Sequence, residues 1–360
     1  MNSGKNRAFS KIKGKMAKVG IDAVLVSDPH DIGYLTGGVY FSGVVLLITK
    51  KGRPFYFVDS MNSSLAGGLL KAGELDVVVI KVSMIETIRE SAKKRGVKKI
   101  GFNGAQITVS FYQRLLALAP EIKLISEEKG LFPGRIVEEI REIKTEEEIG
   151  VMRALAKKTV RVWNEVKSKI ETGMTENQVS IMIDLCVRGC GAENSFPTIA
   201  ASGKNTAYPH AFVSQRRLGS GEHLLVDFGL RSKGYCSDLT RTWHKGRINR
   251  QVANFEKIVR KAQDLAIKKA APGVKISSLA GLVSDFFRKN DVSSFVFHSL
   301  GHGVGVKVHE GPFLNERSLL RLREGMIFTV EPGLYKAGLG GARREDMVLI
   351  NNNGCEVLTI

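Results

Sequence analysis

The sequence predicts an α/β protein of two domains: a small amino-terminal α/β domain, then a larger domain of two similar α/β halves. Three observations predict it. At 360 residues the chain exceeds what one ordinary core holds. Its first third alternates short apolar runs with helix-like segments, the pattern of a largely buried sheet. The remainder runs helix pair, strands, helix pair, strands. These patterns place the first domain over residues 1–130, a connection over 131–144 and the second domain over 145–360.

In the first domain, Asp22–Ser27, Val44–Thr49, Pro54–Val58, Val77–Val82 and Lys99–Phe102 read as strands, and Ile85–Arg95 as a helix. Asp31–Gly38 (DIGYLTGG) reads as turn chemistry. No loop there gathers His, Asp and Glu, so this domain is expected to support assembly or shape a cleft. The connection contains Leu131-Phe132-Pro133-Gly134 and then EEIREIK.

Thr145 and Glu148 form a capping-box pattern that opens the first helix of the second domain. Ile149, Met152, Ala156, Thr159, Trp163, Val166 and Ile170 follow at helical spacing, which assigns Trp163 to the core. Thr175 to Gln178 caps a second helix. A third runs from about Asn254 to a stop at Pro272-Gly273, and a fourth from Ser277 to Lys289. Strands are predicted over Ser195–Ser202, His223–Phe228, Tyr235–Trp243, Ser294–Ser299, Met326–Leu334 and Asp346–Ile350.

Composition narrows the function classes. No uncharged apolar run is long enough to span a membrane, and the basic start lacks the apolar core of a signal peptide. Cys186, Cys190, Cys236 and Cys355 form no CxxC and read as free thiols of a reducing cytoplasm. The formal charge is +18, yet the lysines and arginines scatter over helical segments with no nucleic-acid-reading motif. A solvated basic surface is the simpler reading, so neither nucleic acid nor a membrane is expected as a partner.

Chemistry concentrates in Phe297–Glu310 (FHSLGHGVGVKVHE), which holds His298, His302 and His309. Gly301, Gly303 and Gly305 mark an extended segment open to close approach, and are expected to make room for metal ligands. Asp227 lies in LLVDFG and Asp238 in YCSDLTRT. If Arg231 and Gly234 close a two-residue loop, the two aspartates face each other across a hairpin. Glu331 in FTVEPG and Glu345 in ARREDM form a second carboxylate pair on a glycine-rich hairpin. A Glu in so apolar a strand is costly unless paired or metal-bound. Four carboxylates and one imidazole suit two hard divalent ions, Mn²⁺ or Co²⁺ ahead of Zn²⁺ or Fe²⁺.

The phrases VDFG, YCSDLTRT, HSLGHGVGVKVHEGP, GMIFTVEPGLY and GARREDMVLI, in that order, resemble the pita-bread metallopeptidases. The resemblance is to the branch of Xaa-Pro aminopeptidase and Xaa-Pro dipeptidase (prolidase), and it covers nearly the whole chain, YLTGG and KTEEEI included. It implies a pita-bread catalytic domain with pseudo-two-fold halves behind a creatinase/prolidase-like amino-terminal domain. It implies Asp227, Asp238, His302, Glu331 and Glu345 as the ligands of two metals, with Asp238 and Glu345 bridging. His210, His298 and His309 become substrate-binding groups. His210 and His309, with Glu331 or Glu345 handling the proton, become catalytic ones, and Arg343 steadies the carboxylates. The implied substrate is a peptide with proline second, and the implied assembly a homodimer.

Some residues stand outside that pattern. His30, His223 and His244 carry no motif and read as ordinary residues. Arg344 occupies a position where the family usually has an aliphatic residue. Phe313 stands where dipeptide-cleaving relatives often hold a carboxylate-clamping arginine; Arg317, Arg321 and Arg323 are the nearby substitutes. Two alternatives accompany this reading: a metal-free binding module for a protein or nucleic-acid-associated partner, and an aminopeptidase of non-proline specificity such as one taking methionine.

Overall fold

The computed structural model describes residues 2–70, 74–126 and 135–360, with the side chains of residues 2–7 outside that description. The contacts group the chain into two compact units that meet in sequence at Arg141 and Glu142.

The first unit carries a six-stranded sheet: β1 (Ala23–Val26), β2 (Val45–Thr49), β3 (Phe55–Val58), β4 (Asp76–Val79), β5 (Lys99–Phe102) and β6 (Lys123–Ile125). The order is β4-β3-β2-β1-β5-β6. Every residue of β1, β2 and β3 is buried, which matches the unbroken apolar runs. Helices α1 (Asn2–Val19), α2 (Pro29–Thr36), α3 (Ser63–Leu69), α4 (Met84–Lys94), α5 (Val109–Leu118) and α6 (Ile136–Arg141) complete it. The stretch expected to be a turn at Asp31–Gly38 is largely helix α2. Asp28 caps it by accepting from the backbone of His30 and Asp31, Pro29 opens it, and Gly37 ends it at φ 76°. Asp28-Pro29 is the start signal the turn reading passed over. Leu131-Phe132-Pro133-Gly134 lies outside the described residues. Just after it, α6 places Ile136, Val137 and Ile140 in the first unit's core.

The second unit repeats one plan. Its first half is α7 (Glu146–Lys167) and α8 (Glu176–Gly189), then β7 (Glu193–Asn194), β8 (Ile199–Ser202), β9 (His223–Phe228), β10 (Leu230–Ser232), β11 (Tyr235–Cys236) and β12 (Leu239–His244). The second half is α9 (Arg250–Lys269) and α10 (Ile276–Lys289), then β13 (Gly301–Gly303), β14 (Glu310–Leu314), β15 (Ile327–Val330), β16 (Gly333–Lys336), β17 (Gly340–Arg343), β18 (Asp346–Asn351) and β19 (Gly354–Val357). Both predicted capping boxes form, at Thr145 and Thr175. Trp163 is buried in the core beneath α7 and α8. The halves join where the Glu345 amide donates to the Thr240 carbonyl and the Arg343 amide to the Thr242 hydroxyl.

Two local expectations change. Ser293–Phe295 is a 3₁₀ turn rather than strand, as fits serines that compete with the backbone for hydrogen bonds. In Phe297–Glu310 the strand is three residues long, Gly301–Gly303. Its glycines make room for backbone and for one side chain, not for metal ligands. A Cβ on Gly301 would overlap the Thr329 carbonyl, one on Gly303 the Gly311 carbonyl, and one on Gly305 the Glu310 carboxylate. Gly301→Ala should therefore cost about 1–3 kcal/mol, the range for overpacking. Urea denaturation checks it; an unchanged midpoint would contradict the close approach.

Candidate metal centre

Lys233 and Gly234 form the loop between β10 and β11, at φ 51° and 80°, and Ser232 pairs with Tyr235. These angles are those of a two-residue hairpin turn. The register therefore lies two residues from the expected one: Asp227 faces Thr240, not Asp238. Because side chains alternate with period two, this shift leaves both aspartates on one face as diagonal neighbours. The glutamates sit as the sequence suggests. Val330 pairs with Asp346 and Gly333 with Arg343, so Glu331 and Glu345 lie across from each other between these pairs.

Ligand-type atoms of Asp238, His302 and Glu345 lie within 4.8 Å of one another, and all three residues are buried. His302 Nε2 is 3.3 Å from Glu331 Oε1 and 3.7 Å from Asp238 Oδ2. Asp227 joins through Arg343, whose guanidinium meets Asp227 Oδ2 at 2.5 Å. The other Arg343 nitrogens donate to the Thr240 hydroxyl, the Tyr335 hydroxyl and the Pro209 carbonyl. The Thr240 hydroxyl donates in turn to Glu345 Oε2 at 2.7 Å, and the Thr329 hydroxyl donates to Glu331 Oε1. The His302 ring packs edge-on against His309, with centroids 4.1 Å apart. His298 bonds the Tyr335 hydroxyl at 2.8 Å, and its Nδ1 lies 3.8 Å from Glu331. His210 and His309 are exposed at the rim.

Thr240, Thr329 and Tyr335 are the participants that the motifs alone do not reveal. For the two threonines the signal is the strand period. Thr240 follows Asp238 by two and Thr329 precedes Glu331 by two, so each shares its carboxylate's face. Gly333 leaves space for the Tyr335 hydroxyl. His223 is buried and bonds the Thr206 hydroxyl, while His244 is exposed beside Glu256. Arg321 donates to the Gly273 carbonyl, Arg323 sits by Glu142, and Arg317 is exposed.

The electrostatics test whether a metal fits. Burial, then Glu345, Asp227 and Glu331, push the Asp238 carboxyl well above its usual range. Burial, with Glu331 and Asp227, does the same to Glu345. Burial lifts Glu331 to about 7 even though Arg343 opposes it. Burial holds His302 down at about 3 and His298 at about 4, so both rings are neutral at pH 7. Burial also disfavours the Arg343 charge, but Tyr335, Asp227, Glu331 and Glu345 outweigh it and keep that group firmly cationic. Four carboxylates thus face one guanidinium, and Asp227 Oδ1 is buried without a hydrogen-bond partner. A neutral imidazole, clustered carboxylates and an orphaned carboxylate oxygen fit divalent cations.

This fold and this cluster define a metal-dependent hydrolase. Residues 150–352 match the model of metallopeptidase family M24, and residues 9–143 that of the creatinase/prolidase N-terminal domain. The chain belongs to metallopeptidase family M24. It is 30% identical to a Xaa-Pro dipeptidase of Pyrococcus horikoshii, over 98% of this chain and 97% of that protein. It is equally similar to an uncharacterized peptidase of Bacillus subtilis, over the same shares. Among solved structures, a Xaa-Pro dipeptidase from Bacillus anthracis superposes with a TM-score of 0.91 at 30% identity, covering 99% of this chain and 97% of that one. An X-Pro aminopeptidase from Thermotoga maritima gives 0.83 at 30% identity, over 96% and 97%. No helix among the described residues is long and apolar enough to cross a membrane.

The raised carboxylates fix how stability varies with pH when metal is removed. A carboxyl with a raised folded pKa favours folding while protonated, and that contribution is lost as pH climbs through the folded value. The lowered histidines act oppositely, but below about 6.5. Above that pH the carboxylates decide. Chelator-treated protein should lose thermal stability steadily between about pH 6.5 and 8, and added Mn²⁺ or Co²⁺ should restore it. A melting temperature that is flat over this range without metal would contradict the account.

Proposed function

We propose that this protein hydrolyses the peptide bond before a proline in second position, releasing the amino-terminal residue. The observation that carries the reading is the buried cluster of Asp238, His302 and Glu345, with Glu331 and Asp227 beside it, in a family M24 chain. The relatives bearing Xaa-Pro names add the substrate class.

Asp227, Asp238, His302, Glu331 and Glu345 would hold two divalent ions, Mn²⁺ or Co²⁺ ahead of Zn²⁺ or Fe²⁺, because carboxylates outnumber the imidazole. When bound, such a pair polarises a carbonyl and lowers the pKa of water. Arg343 holds Asp227 in place, and Thr240 holds Glu345. Glu331 or Glu345, both at the shared site, would take and return the proton. His309, edge-on to His302 at the rim, stabilises negative charge developing on the carbonyl oxygen. His298, tied to Tyr335, and His210 position the peptide.

Phe313 pairs with His302 across β13 and β14, so no arginine stands at the position of a carboxylate clamp. Arg321 and Arg323 are engaged elsewhere. Both points favour peptides longer than a dipeptide, since an unpaired terminal carboxylate in a cleft binds poorly. Domain limits of 1–130 and 145–360, a homodimer and a cytoplasmic location belong to the same proposal; four free cysteines suit a reducing compartment.

Xaa-Pro dipeptides tested against Xaa-Pro-Yaa tripeptides with Mn²⁺, Co²⁺ and Zn²⁺ check the reading; the tripeptides should turn over faster. Cleavage of peptides lacking proline at a higher rate would overturn it. Asp238→Ala should lower kcat/KM by at least about 10³-fold with the fold intact, because a ligand shared by both ions is lost. Wild-type turnover by that variant would contradict the site.

A further inference from the structure

Behind the carboxylate cluster, on the side of β12 and β17 that meets α9, lies a groove with a cavity volume of about 600 Å³. One wall is a polar stripe of α9. Ala253, Glu256, Lys257, Arg260, Lys261 and Asp264 recur at helical spacing, while Val252, Phe255, Ile258, Ala262 and Ala266 are buried in the core. The floor is Arg241, Thr242 and His244 with Ala342–Arg344. None of these side chains is a proposed metal ligand.

A charged helix face is ordinarily just solvated; two observations set this one apart. Arg344 is held, not loose. Its Nε donates to Gln263 Oε1 at 2.8 Å, and Gln263 is itself buried and anchored to the Val330 carbonyl and Asp346. Its two terminal nitrogens make no hydrogen bond or ion pair among the described residues, and neither do Lys257, Arg260 or Lys261. Arg241 is different: it is fully engaged by the Thr240, Glu345 and Thr359 carbonyls and Asp346, and serves as scaffold. Four cations with free donors therefore converge on one concavity. Two acids share the stripe: Glu256, next in sequence to Lys257, turns one oxygen to His244 and buries the other away from solvent, and Asp264 lies one turn beyond Arg260.

We propose that this groove binds a phosphate-bearing small molecule of nucleotide size. Arg344, Arg260, Lys257 and Lys261 take the phosphates, the guanidiniums in bidentate fashion. The volume suits a nucleotide and is within the range of small-molecule sites.

The test is titration calorimetry of the metal-loaded full chain with ADP, and with pyrophosphate as the arm lacking a nucleoside. Lys257→Gln/Lys261→Gln serves as the fold-safe variant, since both residues are exposed. Arg260→Gln/Arg344→Leu is the stronger one. Any heat from chelation of the metals is common to all proteins and subtracts. ADP should bind the wild type and weaken by about tenfold or more in each variant. Pyrophosphate binding as tightly as ADP, and lost in the same variants, supports the phosphate site and assigns it to inorganic phosphates. No binding of either probe, or ADP affinity that is equal in wild type and both variants, overturns the proposal.

Discussion

Four carboxylates buried around one guanidinium form the constraint to which the rest of the second unit answers. Arg343 is 3% exposed and touches Asp227, Tyr335, Thr240 and the Pro209 carbonyl. One cation cannot offset four acids at such depth, so burial drives Asp238, Glu331 and Glu345 toward their neutral forms. That cost is carried by the two-half architecture. Neither half holds the cluster alone: Asp227 and Asp238 come from the first, while His302, Glu331, Arg343 and Glu345 come from the second. The seam at Thr240–Thr242 and Arg343–Glu345 is where the two β systems must register. A cluster that opposes folding unless cations enter is also a cluster that binds them tightly.

The same seam has two sides. Toward the cluster it presents Arg343, Glu345 and Thr240; toward α9 it presents Arg344 and Arg241. Alternation along a strand puts successive side chains on opposite faces, so one short segment serves both a metal site and a basic groove. Arg241 ties the two together, donating to the Glu345 carbonyl from the groove side. The +18 charge is thus spread over solvated helix faces but gathers locally on α9 beside this seam.

Much of this was legible in the sequence because the governing signals are local. The two capping boxes at Thr145 and Thr175 set helix starts within a residue. The glycine-rich stretch after Tyr335 announced the hairpin that brings Glu331 and Glu345 together. The aspartate register was off by two because the turn uses Lys233 at positive φ, a position normally expected of Asn or Gly. The error did no harm to the site, since a shift of two preserves the face. Helix α2 was missed because YLTGG reads as a turn from its glycines, whereas Asp28 and Pro29 decide its start. The roles of Tyr335 and Gln263 were not legible at all. Both depend on contacts between segments far apart in sequence, which no spacing rule reports.

The account stands or falls on whether these five side chains hold two ions. Elemental analysis of the purified chain after reconstitution with Mn²⁺ or Co²⁺ and removal of free metal is the direct measurement. Two equivalents of metal per chain, falling to one or none in Glu345→Ala, is the predicted result. A metal-free protein after reconstitution, or two equivalents retained by Glu345→Ala, would contradict it.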